Sequence, residues 1–280
     1  MAAFVLPELY KESSDITYVG AQYMLEKYKN LIKWKEDASI FEFGVGDGSH
    51  SRQLLWPLFP RKYKEFIATD LSKTMVDFAK NNQSASRAKI CNFDITCENV
   101  PYDYRSRFDN IFSIFTMMLV RNPEQAFKNI HTMLKSNGQT FNIFPLTLPT
   151  DDIYMKLSHH AKWGKYDHKV MVTPYSSQSH PQECYEKALR DAGFRNYHYM
   201  IQNFCYMFKN EKEWKDFMFS VNAVAGNIPA EEIEEYKEYF FELIDKEVLL
   251  EDNKTFDSEG RKCRFVKLRL SLLEAIKTRD

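Results

Sequence analysis

The chain has 280 residues, 44% of them hydrophobic and 28% charged, with a formal net charge of -1. That length buries one substantial core, with enough left over for a helical cap, and needs no covalent staples. Near-zero charge argues against a general binder of nucleic acid or of membrane surfaces, since both need a basic field. In chain order, apolar spacing at Val19, Tyr23, Leu25, Tyr28 and Ile32 predicts a leading helix over 18–36. Ser39-Ile-Phe-Glu-Phe43 reads as a buried strand ending at glycine, and 49–58 as a helix stopped by Pro57 and Pro60. A second strand over 65–69 leads to a helix from Ser72, its expected N-cap, to Asn81. Strands follow at 88–93, 108–115 and 140–144, with a helix over 123–135 capped by Asn137-Gly138.

After Pro145 the rhythm changes, and 145–180 shows no clean alternation. A helix over 181–192, a long strand over 196–208, helices over 211–223 and 230–248 and a last strand over 264–272 complete the reading. Strands alternating with helices predict an α/β fold with a doubly wound, mostly parallel sheet. Right-handed crossovers place the loops after the strands on one edge, where ligands bind. The whole is expected as one domain over 1–280, with a ligand-binding half over 36–145 and cap elements over 1–35 and 146–250.

The N-terminus lacks the charged-then-apolar pattern of a signal peptide, and no apolar run is long enough to span a bilayer, so a cytoplasmic protein is expected. Five cysteines at 91, 97, 184, 205 and 263 include no C-x-x-C, which fits a reduced protein without disulfides or structural zinc. The tripeptides beginning at Asn82 and Asn253 match the glycosylation pattern but, without secretion, read as chance. Aromatic residues make up 15% of the chain, a share that fills a core or lines an apolar ligand cavity equally well.

The chemistry concentrates after the first strand. In Glu42-Phe-Gly44-Val-Gly46-Asp-Gly48 the glycines let backbone approach a ligand, and the helix that follows offers unpaired N–H groups to an anion. The spacing is G-x-G-x-G and not the G-x-G-x-x-G of dinucleotide binders. Asp70 ends the second strand, where a carboxylate accepts from both ribose hydroxyls of an adenosine or, more plainly, caps the next helix. Asp94 follows the third strand, placed to accept from an adenine amino group. Three acids closing three successive strands are more specific than any one of them. His159-His160 lacks a carboxylate or cysteine at ligand spacing, so no metal is expected.

This order, with Ala68-Thr-Asp70-Leu-Ser72-x-x-Met75 and Phe93-Asp94-Ile95, resembles the class I S-adenosylmethionine-dependent methyltransferases, which are Rossmann-like with a cap over the substrate site. More narrowly, the chain resembles insect juvenile hormone acid O-methyltransferases. The similar stretches run from Leu9-Tyr10 to Ile32-Lys-Trp-Lys35, through Asp47-Gly-Ser49 and 108–113 with Arg121, and on to Ala192-Gly-Phe194 and Asn227-Ile-Pro229. The resemblance implies S-adenosyl-L-methionine, released as S-adenosyl-L-homocysteine, held by Glu42, Gly44, Gly46, Gly48, Asp70, Leu71, Met75, Asp94, Ile95 and Phe115. It implies a small hydrophobic carboxylic acid as acceptor, a role in juvenile hormone biosynthesis, and no nucleic acid or membrane insertion; a homodimer is compatible with it.

A carboxylic acid of pKa about 4–5 is already ionised at neutral pH, so no general base is required. The family presents a glutamine near the N-terminus and a tryptophan after the fourth strand as carboxylate donors. Here Thr17 stands at the glutamine's place, Leu119 at the tryptophan's, and Met118 where a histidine often stands. Thr17 keeps a hydroxyl and Leu119 keeps no donor. Tyr18, Gln22, Tyr23 and Trp163 are the other candidates for orienting the acceptor. A different small-molecule acceptor, or a non-catalytic binder of cofactor or terpenoid, remains open at this stage.

Overall fold

The computed structural model describes residues 6–82, 88–247 and 264–278. The expectations at the extreme N-terminus, at Ser84, at 253–255 and at Cys263 fall outside them. Seven strands form one sheet in the order β3-β2-β1-β4-β5-β7-β6. They are β1 (Ala38–Phe43), β2 (Tyr63–Asp70), β3 (Ala88–Asn92), β4 (Phe108–Ile114), β5 (Leu134–Pro145), β6 (Asn196–Phe208) and β7 (Arg264–Ile276). β3, β2, β1, β4 and β5 pair in parallel, whereas β7 runs antiparallel to both β5 and β6. The central strands β1 and β4 are buried at every position, the polar Ser39, Glu42, Asp109, Asn110 and Ser113 included.

Helices cover the sheet: α1 (Pro7–Ser13), α2 (Asp15–Tyr28), α3 (Lys73–Asn82), α4 (Pro123–Met133), α5 (Asp151–Ser158), α6 (Pro181–Asp191), α7 (Glu211–Ser220) and α8 (Ile233–Glu247). Ser72 caps α3 as expected, its Oγ accepting from Met75 N at 3.3 Å. Four of the expected helices differ from the reading of the sequence in extent or type. The single leading helix is two, broken at Ser14 and finished by Tyr28. The expected helix over 49–58 is helical throughout but irregular: α-helical at Ser49 and His50, π-helical over Ser51–Leu55 and a 3-10 turn over Trp56–Leu58.

The third is α4, which stops at Met133, so Asn137-Gly138 is not its cap. Leu134 already pairs with Phe108 in the sheet and is fully buried, and Asn137 adopts φ 57° where the register shifts. Burial of Leu134 outweighs the few tenths of a kcal/mol that helix propensity offers. The fourth is α7, which ends at Ser220; Asn222 turns its amide to Tyr236 Oη at 3.0 Å instead of continuing the helix. No helix among the described residues is long and apolar enough to cross a membrane.

Candidate functional site

The strand order reverses beside β1, with β2 on one side and β4 on the other. The loops leaving β1 and β4 therefore meet at the carboxyl edge, the place where a doubly wound sheet opens a crevice. Gly44 and Thr116 touch there: Thr116 Oγ1 donates to Gly44 O at 3.3 Å. A Cβ on Gly44 would stand 1.9 Å from Thr116 Oγ1, and the backbone φ of +75° is strained for any side chain. Glycine is thus required at 44 on two counts.

A cleft runs along this edge, bordered by Glu42, Gly44, Val45, Gly46, Asp47, Asp70, Leu71 and Met75 on the β1–β2 side. Ile114, Phe115, Thr116 and Leu119 border it on the β4 side, and Tyr10 and His50 close it. Glu42 is 2% exposed, and its Oε2 accepts from Ser51 Oγ at 2.6 Å. Burial pushes its carboxyl from the ordinary 4.5 up to about 7, against the Ser51 hydrogen bond, and nearby Asp70 adds to the rise. Asp70 is also raised by burial, while its oxygens accept from Ser72 N at 2.8 Å and Gly46 N at 2.9 Å. Asp70 therefore both holds the turn that leads into α3 and faces the cleft. Two carboxyls buried this close favour a bound cation.

Of the residues the resemblance implies for the cofactor, Glu42, Gly44, Gly46, Asp70, Leu71, Met75 and Phe115 border this cleft. Gly48, Asp94 and Ile95 do not. Gly48 shapes the turn, its N–H donating to Val45 O at 3.0 Å. Asp94 Oδ1 accepts from Thr96 N at 2.8 Å and Thr96 Oγ1 at 2.7 Å, closing its own turn. Ile95 is fully buried, and its carbonyl accepts from Asn129 Nδ2 at 2.7 Å.

A second cavity adjoins the cleft, with about 770 Å³ of empty space once its open mouth is included. Its walls are almost wholly apolar. Tyr10, Ile16 and Thr17 come from α1 and α2, and Phe115, Met118 and Leu119 from the loop after β4. The segment after β5 adds Leu148, Pro149, Tyr154 and Met171, and α7 adds Trp214, Phe217 and Met218. Tyr154 Oη and Trp214 Nε1 are buried in this wall without a hydrogen-bond partner among the described residues. Tyr10, Phe115 and Leu119 border both spaces. Phe115 holds φ 53°, unusual for a bulky residue, and backbone strain of this kind collects at ligand clamps.

Thr17, Met118 and Leu119 thus lie on the cavity wall. Gln22 and Trp163 border neither space. Gln22 is half-buried on α2. Trp163, 2% exposed, packs with Tyr236, ring centroids 5.3 Å apart, in an aromatic layer behind the cavity.

Sequence reasoning missed His50, whose Nε2 lies 3.3 Å from Thr17 Oγ1, and the part Tyr10 plays, its Oη 3.4 Å from the same oxygen. It expected α7 as a helix but singled out none of Trp214, Phe217 and Met218, which line the cavity. The one local signal for His50 was its place in the first turn after the glycines.

Residues 41–141 match the family described as Methyltransferase domain. Along the chain, juvenile hormone acid O-methyltransferase of Bombyx mori is 27% identical over 247 residues, covering 87% of each protein. The Drosophila melanogaster protein of that name is 25% identical over 242 residues, 84% of this chain and 81% of its own. Among solved structures, the YcgJ protein of Bacillus subtilis superposes with a TM-score of 0.58 at 14% identity, covering 92% of this chain and 99% of that one. With a methyltransferase domain over the cleft and this likeness on either side of it, the chain is an S-adenosylmethionine-dependent methyltransferase of the class I α/β fold, related along most of its length to the juvenile hormone acid O-methyltransferases.

Proposed function

We propose that the protein methylates the carboxylate of a small hydrophobic acid, of the juvenile hormone acid or farnesoic acid kind. The observation that carries this reading is the junction itself: an acid-lined cleft opens into an apolar cavity through a wall shared by Tyr10, Phe115 and Leu119. In the cleft, Glu42 receives the cofactor's ammonium group, which supplies the cation that its buried carboxyl favours, and Asp70 receives the ribose hydroxyls. The glycine turn leaves room for the methionine backbone because position 44 bears no side chain. Asp94 stands in its own turn and is the least supported of the assigned acids.

When bound, S-adenosylmethionine supplies an electrophilic methyl on a sulfonium. The chain's residues contribute orientation and exclusion of water. The apolar walls strip solvent from the acceptor's carboxylate, raising its nucleophilicity, and the cavity's length aligns its carbon chain so that an oxygen faces the methyl. No proton needs removing, since the acid is ionised at pH 7. Alignment of this sort contributes several kcal/mol to the rate.

The relatives' names point the same way: both are juvenile hormone acid O-methyltransferases. The test is incubation of the protein with methyl-labelled cofactor and a panel of farnesoid and fatty acids of differing length. A labelled, base-labile ester is expected from at least one farnesoid acid; no labelled ester from any acid would sink the reading.

A further inference from the structure

The acceptor's reacting end belongs where cleft and cavity meet, and a carboxylate buried there without donors would cost several kcal/mol. Two of the three side chains bordering both spaces, Phe115 and Leu119, have no donor to give. Tyr154 and Trp214 hold donors unpartnered among the described residues, but they do not border the cleft, where the methyl to be transferred is held, as the donor must. What remains is Tyr10 and the group it touches.

That group is a buried polar corner made of Tyr10, Thr17 and His50, which are 7%, 5% and 9% exposed. The Thr17 hydroxyl is its hub. It donates to Ser14 O at 2.7 Å, and its oxygen lies within 3.4 Å of both Tyr10 Oη and His50 Nε2. In that state His50 carries its proton on Nε2 and donates to Thr17, leaving a lone pair on Nδ1. If the Thr17 hydroxyl rotates to donate to Nε2 instead, the imidazole proton belongs on Nδ1. His50 borders the cleft, and its Nδ1 has no protein hydrogen-bond partner among the described residues. Burial lowers the pKa of His50 although Asp47 opposes this, so the ring is neutral and the choice of tautomer decides what it offers.

We propose that His50 is the residue that fixes the acceptor's carboxylate, donating Nδ1–H to it, while Thr17 is a positioning residue that selects this tautomer through Nε2. The inference rests on the carboxylate reading above and supplies the donor that Met118 and Leu119 lack. It places that donor on the turn after β1 and not on the loop after β4. Ser14 O gives up one hydrogen bond when the hydroxyl turns, and the Thr17–His50 bond is kept with its direction reversed.

The test measures binding apart from turnover. Farnesoic acid and farnesol, which share a carbon skeleton, are titrated calorimetrically into the protein saturated with S-adenosylhomocysteine. The native protein is expected to prefer the acid by at least about tenfold, the size of one charge-assisted hydrogen bond. His50→Phe keeps an aromatic ring and should lose that preference, read at saturating S-adenosylhomocysteine whatever the variant's own affinity for it. Thr17→Val should lose it as well, whereas Thr17→Ser, which keeps the hydroxyl, should retain it.

Thermal unfolding of each variant checks that it is folded. Acid preference unchanged in both His50→Phe and Thr17→Val overturns the proposal. So does methylation of farnesol at a rate that falls with His50→Phe, which would make His50 a base. A native protein that binds the acid in preference to the alcohol but forms no ester would instead refute the proposed reaction and leave the role of His50 in binding standing.

Discussion

Glu42 sits inside β1 with its carboxyl sealed from water and raised to about 7, so its charge near neutral pH depends on what shares the cleft. In the free protein this group favours the folded state fully below its ordinary 4.5, and that contribution is lost as pH rises through about 7. Binding has the opposite sign, because an ammonium ligand needs the ionised form. Affinity for S-adenosylhomocysteine is therefore expected to fall as pH drops below about 7, approaching tenfold per unit. Glu42→Gln should weaken binding by roughly 10- to 100-fold and flatten that pH dependence, since the amide still accepts from Ser51 but carries no charge. Calorimetry between pH 5.5 and 8 reads both, taking roughly one unit either side of the group's pKa; a flat profile in the native protein would exclude Glu42 as the ammonium's partner. The glycines and acids were legible in the sequence because a strand–turn–helix connection fixes their register over a few residues. The Tyr10–Thr17–His50 corner was not, because its members come from three separate elements.

Asp151 shows what holds an element in place. It opens α5, and its carboxylate accepts from Leu148 N at 2.9 Å, Thr173 N at 2.8 Å and Thr173 Oγ1 at 2.5 Å. Burial raises its pKa although these bonds oppose the rise. It pins the chain after β5 to Thr173, just past the 3-10 turn over His168–Met171, and that stretch supplies Leu148, Tyr154 and Met171 to the cavity wall. Asp151→Ala leaves the buried Thr173 N–H and the half-buried Leu148 N–H without their carboxylate and is expected to cost about 3 kcal/mol in urea unfolding, with acceptor affinity reduced more than cofactor affinity. A loss below about 1 kcal/mol would show that the wall is held by its apolar contacts alone. Sequence periodicity passed over this stretch because side-chain bonds to a distant turn, and not a repeating apolar face, organise it. For a similar reason β5 begins at Leu134: its pairing with β4 is a contact between segments that no local pattern reports.

At the scale of the molecule, two chemically unlike spaces share one wall. A ligand that binds only the folded chain stabilises it by mass action, so S-adenosylhomocysteine at a hundred times its Kd should add about 2.7 kcal/mol and raise Tm by several degrees. NAD should add nothing, in keeping with the G-x-G-x-G spacing. Differential scanning fluorimetry separates the two, and a shift with NAD but none with S-adenosylhomocysteine would overturn the assignment of the cleft.

The amino-acid order by itself determined the alternation of strands and helices, the glycine turn with its flanking acids, and the departure at Thr17 and Leu119. These are local, set by periodicity and by the few residue types a tight turn or strand end tolerates. Tertiary structure alone decided that β7 runs against its neighbours, that α7 closes the apolar cavity, and that His50 meets Thr17 across 33 residues. Those outcomes depend on which buried faces find each other, a property of the packed chain that no short window of sequence contains.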